Sequence, residues 1–156
     1  MHDKLREAVE SIPGVRITDV AQPLTSEERE ILQKLSGQKV PDEWPRISPD
    51  GTIYIPPNFP HSDHALAHEA IHATRSHLGR DHLNEACCHK HGYMLEELTA
   101  ELGREILTHK LGISPVGQGW SILHIATKCG MPFHTALAIA LRGAQEAVNF
   151  ILAPKQ

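Results

Sequence analysis

Aromatic residues are scarce in this chain, at 4% of the sequence, so aliphatic side chains must build most of the core. Cysteine is scarcer still. There are three, and two of them, Cys87 and Cys88, are neighbours. An odd count with an adjacent pair is not a disulfide framework, and reduced thiols suit the cytoplasm. No apolar run reaches the roughly 20 residues that span a bilayer. Met1 to Glu10 is charged and lacks the apolar stretch of a signal peptide. The expectation is a cytoplasmic protein with no membrane partner. An excess of charge is missing too: 15 basic and 19 acidic residues give a formal net charge of -4. That leaves no basic face or tail for nucleic acid, and it is far too little negative charge to imitate DNA.

The 156 residues are 40% hydrophobic, enough for one compact domain with a real core. The chain reads as a single unit over 1–156, with a helical N-terminal segment (1–43) and a core (44–152). One residue type is abundant. Histidine occurs 12 times, and eight of these lie between His61 and His91. A local excess of this kind is a reason to look for a metal.

Lys4 to Ser11 reads as a short helix that Pro13-Gly14 ends. Thr25 and Glu28 have capping-box spacing, which predicts a helix over Glu27 to Leu35 closed by Gly37. Pro49-Asp50-Gly51 is a turn signal. Around it, Arg46-Ile47-Ser48 and Thr52-Ile53-Tyr54-Ile55 can pair as a hairpin. Asp63 to about His77 is helical, with Leu66, Ala67, Ala70, Ile71 and Thr74 on the apolar face. A loop rich in His and Cys follows, from Gly79 to Gly92. Further helices are expected over Tyr93 to His109, Trp120 to Lys128 and Phe133 to Leu152. The fold class is therefore α+β, mostly helical, with a small sheet or hairpin ahead of the first long helix.

That helix carries His68-Glu69-Ala70-Ile71-His72, an HExxH match. Residues four apart share a helix face, so both imidazoles can reach one ion. Glu69 lies about 100° around the helix from His68, close enough to meet water on that ion. Zinc lowers the pKa of water toward ~7, and a carboxylate base takes the proton. Two surface histidines on an amphipathic helix would give the same five residues, so the motif needs context. A catalytic zinc needs a third protein ligand and one open position. Glu96, Glu97 and Glu101 on the next helix are the candidates. On a helical wheel, Glu97 and Glu101 stand opposite the stripe of Leu95, Leu98, Leu102 and Ile106. Ala100 and Gly103 are small enough for close helix approach.

Several segments follow one another in a known order. They are Ile53-Tyr54-Ile55-Pro56-Pro57, Leu66-Ala67-His68-Glu69-Ala70-Ile71-His72-Ala73-Thr74, Leu78-Gly79-Arg80 and Glu96-Glu97-Leu98-Thr99-Ala100-Glu101-Leu102. The order resembles the zincin-like metallopeptidase domain of ArdC-type antirestriction proteins, a family carried by plasmids and phages. The likeness extends from about Trp44 to Leu152. It implies a zinc-dependent metallopeptidase acting on a peptide or protein substrate. The glutamate block is also similar to the second motif of thermolysin-like peptidases. That likeness implies Glu97 as third zinc ligand and Glu101 as the carboxylate that orients His68 or His72. The interval from His72 differs from the thermolysin interval, which keeps Glu96 and Glu101 open as ligands. ArdC-type proteins also carry a single-stranded-DNA-binding domain ahead of the peptidase. Residues 1–43 are too few for it and are not basic, so DNA binding is not carried over.

Peptide hydrolysis needs a donor for the developing oxyanion. Tyr93, one turn before Glu97 on the same face, is the first candidate, ahead of His89, His91, His124 and His134. His64, one turn before His68, reads as a surplus ligand or as the entrance to the cleft. Cys87, Cys88, His89 and His91 are too crowded to make one tetrahedral site alone. Tyr54 is expected on the face of its strand opposite Ile53 and Ile55. The strand Thr52 to Ile55 is expected to line the cleft and pair with an extended peptide. The reading that competes with an enzyme is a non-catalytic protein that keeps the metal for folding or partner binding and counters a host defence system. Glu69 speaks against it, because a purely structural site has no use for a base.

Overall fold

The computed structural model describes residues 2–20, 23–26, 29–30, 33–34, 39, 41, 43–80, 89–116 and 119–154. Of the helix expected over Glu27 to Leu35, the described residues Arg29, Glu30, Gln33 and Lys34 are helical and the Thr25 carbonyl accepts the Arg29 N–H; Glu27, Glu28, Ile31, Leu32, Leu35 and Gly37 lie outside the described residues.

The chain opens with helix α1 (Asp3–Glu10), which turns Leu5 and Val9 into the core and has Asp3 in its first turn, where the helix dipole favours an acid. Strands β1 (Arg16–Thr18), β2 (Arg46–Ile47) and β3 (Thr52–Tyr54) form a three-stranded mixed sheet of order β1-β3-β2. The expected hairpin is present, with Ile47 opposite Ile53 and Arg46 opposite Tyr54. Its turn is tied by Asp50 Oδ1, which accepts the Thr52 N–H at 3.0 Å, and by Gly51 at φ 82°. A side chain at Gly51 would collide with the carbonyl oxygen of Gly14, so the α1–β1 turn and the hairpin turn nest together.

One expectation about the sheet is corrected. β1 pairs in parallel with β3, so β3 is the central strand and offers no edge to a peptide. Being central also buries all three of its residues, Tyr54 included. The Arg46 guanidinium lies over the Tyr54 ring, 4.8 Å from its centroid. The edge on the hairpin side belongs to β2. Ser48 N–H donates to the Thr52 carbonyl, so the peptide groups of Ile47, one residue earlier, face away from β3.

Helix α2 (Ser62–Ala73) carries the HExxH residues. The chain enters it through Asn58 and His61, both at positive φ. Leu66, Ala67, Ala70 and Ile71 are fully buried, as the apolar periodicity predicts. The helix stops short of His77. The Ile71 carbonyl is taken by the Thr74 N–H, by Thr74 Oγ1 at 2.7 Å and by Arg80 Nη2 at 2.8 Å, so the backbone tightens into turns after Ala73. Gly79 at φ 66° completes the exit.

Helix α3 (His89–Lys110) begins before the expected Tyr93 and is the longest element. It packs against α2, α4 (Gly119–Ala126) and α5 (Phe133–Leu152). α5 has the bounds its sequence predicts, after Pro132. α4 ends at Ala126 rather than Lys128, where Thr127 Oγ1 takes the His124 carbonyl at 2.8 Å. α2 and α3 meet closely at Gly103, where a Cβ would lie 2.7 Å from Ile71 Cδ1. One core cluster joins α1, the sheet, α2, α3 and α5. A second lies between α3, α4 and α5, around Leu95, Leu98, Ala126, Ala136 and Ala140. Both are mainly aliphatic. No helix of the described residues is long and apolar enough to cross a membrane.

Candidate metal centre

The face that α2 turns toward α3 brings His68 and His72 against Glu97. The two Nε2 atoms are 3.1 Å apart. His72 Nε2 is 3.4 Å from Glu97 Oε1, and His68 Nε2 is 3.5 Å from Glu97 Oε2. Three ligands about 2.0–2.1 Å from a tetrahedral zinc stand roughly 3.3 Å from one another. The two imidazoles are near that spacing and each meets its own oxygen of Glu97 at a similar distance; taken one ligand atom each, the three lie within 4.8 Å of one another. Among the described residues this is the one group of His, Cys, Asp and Glu side chains that could hold a metal ion.

The other ring nitrogens are engaged as well. His68 Nδ1 is 3.2 Å from Glu101 Oε1, and His72 Nδ1 is 3.3 Å from Glu96 Oε1. A ring that turns Nε2 to a metal carries its proton on Nδ1 and donates it to such a carboxylate, which fixes tautomer and orientation. Glu101 thus stands behind His68, and Glu96 behind His72. Neither carboxylate is part of the Nε2 triangle. A helical wheel sets Glu97 and Glu101 opposite the leucine stripe and keeps Glu96 open. Positions 96, 97 and 101 spread over about 140° of helix surface, wide enough to straddle both imidazoles. The adjacent pair Glu96-Glu97 was the available signal.

Electrostatics separate the four carboxylates. Burial lifts the pKa of Glu69, and the two imidazoles offset this only in part, so it stays above the ordinary value. The Ile47 N–H at the edge of β2 donates to it. Burial alone would also lift Glu97, but the charges and hydrogen bonds of His72 and His68 outweigh it and hold this carboxyl well below its usual range. Glu96 and Glu101 are lowered despite burial, the first by His72 and Arg80, the second by His68 and Arg104. Burial would lower both histidines, yet the surrounding acids win. Glu97 and Glu96 push His72 up to about 9, and Glu101 and Glu97 raise His68 well above 6.5. Tyr93 is raised, first by burial and then by the charge of Glu97, to which its hydroxyl is hydrogen-bonded. It is a neutral phenol with a proton to donate.

The remaining candidates lie elsewhere. His64 is neither a ligand nor a cleft entrance. It is buried, with Nε2 2.9 Å from the Ser114 carbonyl and Nδ1 3.0 Å from Arg104 Nη1. His91 packs under the α4–α5 turn, where a side chain at Gly130 would strike its ring. His124 and His134 are exposed. Cys87 and Cys88 lie outside the described residues, as does the side chain of His89. No family model, curated protein or solved structure matches the chain.

Proposed function

We propose that this chain is a zinc-dependent metallopeptidase or amide hydrolase of the HExxH type, working in the reducing cytoplasm. The observation that carries the reading is Glu69. It is a buried carboxylate with raised proton affinity beside His68, His72 and Glu97, whose ligand atoms lie within 4.8 Å of one another. Two imidazoles and one carboxylate are a donor set that suits zinc and leaves its fourth position open. A zinc ion bound there supplies a Lewis acid for the scissile carbonyl and lowers the pKa of water toward ~7. Glu69 takes the proton from the attacking water and returns it to the leaving amine. Tyr93 donates its phenolic hydrogen bond to the substrate oxygen as negative charge develops there. The outward carbonyl of Ile47, whose N–H is taken by Glu69, offers an acceptor to an extended substrate backbone. The ordered motif segments that resemble ArdC-type zincin domains support the same reading, and with it carriage on a plasmid or phage.

The competing reading is a metal-stabilised interaction protein that counters a host defence system without turnover. One feature favours it: the ligands come from two helices that a metal would staple together. Glu69→Gln separates the two. It keeps the shape and removes the base, so zinc content and fold should persist while hydrolysis of a peptide library is lost. A variant that keeps full activity, in that assay or in the cellular phenotype, would leave the metal with a structural role.

A further inference from the structure

Two buried arginines lie behind the histidines. Arg80 Nε and Nη2 bind the two oxygens of Glu96 at 3.1 and 2.9 Å. Its Nη1 reaches Thr74 Oγ1 at 3.0 Å, and Nη2 also reaches the Ile71 carbonyl at 2.8 Å. Arg104 Nε and Nη2 bind Glu101 Oε2 at 3.0 and 2.8 Å. Its Nη2 also meets Glu105 at 2.7 Å, and Nη1 donates to His64 Nδ1. His64 can accept there because its Nε2–H donates to the Ser114 carbonyl.

Stability alone is a poor reason for such pairs. Desolvating an arginine and a carboxylate costs about what their attraction returns, and apolar replacements are often neutral or stabilising. What the pairs provide here is position. Glu96 has one oxygen on the His72 ring and both oxygens in the Arg80 fork. Glu101 has one oxygen on the His68 ring and the other on Arg104. A carboxylate held in this way cannot rotate, so neither can the ring that donates to it. The pairs also set the charge. Glu96 is matched by Arg80 and Glu101 shares Arg104 with Glu105, whereas Glu69 and Glu97 meet only the two imidazoles there, where a divalent ion would offset their charge.

Resting on the metal reading above, we propose that Arg80 and Arg104 are positioning residues of the centre, Arg80 acting through Glu96 on His72 and Arg104 through Glu101 on His68. The test uses the full chain loaded with zinc and ¹⁵N-labelled at histidine. Arg80→Met should shift the Nδ1–H resonance of His72 and speed its proton exchange while leaving His68 in place. Arg104→Met should do the reverse. Each should weaken zinc binding about 10- to 100-fold in chelator competition, the range typical of lost outer partners. Should a Met variant fail to fold, Arg80→Lys and Arg104→Lys keep a cation without the paired fork and should show the same selective shift. Unchanged resonances with zinc affinity within about twofold of wild type would overturn the inference. So would equal shifts of both rings in either variant, the mark of general loosening. A wild type that binds no zinc would overturn the metal reading first and this inference with it.

Discussion

Glu69 and Glu97 are both carboxylates within reach of the same two imidazoles, yet their proton affinities are driven apart. Glu97 is hydrogen-bonded by both rings and stays ionised, as a ligand must. Glu69 accepts a backbone N–H and keeps much of its burial penalty, as suits a base. Glu69→Gln is therefore expected to leave zinc content unchanged and to lower kcat by about 10²- to 10⁴-fold. Glu97→Gln is expected to release the metal, read by elemental analysis after gel filtration. The histidines make a second prediction, on pH. Their pKa values are raised in the fold, His72 to about 9 from an ordinary 6.5. Glu96, Glu97 and Glu101 face them from α3, and Glu69 lies beside them on α2. In protein stripped of metal, the added stability is fully present below pH 6.5 and is lost as pH rises through about 9. Zinc needs the same nitrogens unprotonated, so its affinity should rise across that window. Melting curves in EDTA should therefore fall in Tm with rising pH, and zinc titrations in buffers of different ionisation enthalpy should show proton release. A Tm in EDTA that is flat from pH 6.5 to 9 would contradict the raised proton affinity of these rings.

At the scale of elements, the centre depends on how closely α3 approaches α2. Gly103 sets that approach, since a Cβ there would lie 2.7 Å from Ile71 Cδ1 and Cγ1. Gly103→Ala should cost about 1–3 kcal/mol in urea unfolding, as overpacking does, and should weaken zinc binding as well. Adding Ile71→Val removes the Cδ1 atom and should recover part of both losses, a coupling that a double-mutant cycle reads directly. Local signals made some of these elements legible in the sequence. Pro49-Asp50-Gly51 marked the hairpin, Pro132 the start of α5, and the spacing of His68 and His72 their shared face. The leucine stripe opposite Glu97 and Glu101 gave the side of α3 that meets α2. What escaped depends on distant partners. β1 is three residues long and is a strand only because Arg16 to Thr18 lie beside Thr52 to Tyr54. The end of α2 is fixed by Arg80, nine residues after the carbonyl it captures. The place of Glu96 behind His72 follows from the angle at which two helices cross, which no wheel for one helix contains.

For the molecule as a whole, a metal held by α2 and α3 would join the two helices that share the first core cluster with α1, the sheet and α5. Zinc that binds only the folded chain should raise its stability by about 2.7 kcal/mol when free metal stands at a hundred times Kd. Chelation should accordingly lower Tm, and added zinc should restore it. A chelator that leaves Tm unmoved would mean that the ion contributes nothing to the fold. The buried arginine–glutamate pairs set a different limit on the same molecule. A domain holds only about 5–15 kcal/mol of net stability, and stranding one member of a buried pair costs about 3–5. Drift at positions 80 and 96 is therefore confined to paired steps, since either change alone spends a large share of that margin. Among diverging descendants of this chain, 80 and 96 should vary as a couple, and 101 with 104 likewise, leaving a record of correlated substitutions beside the centre.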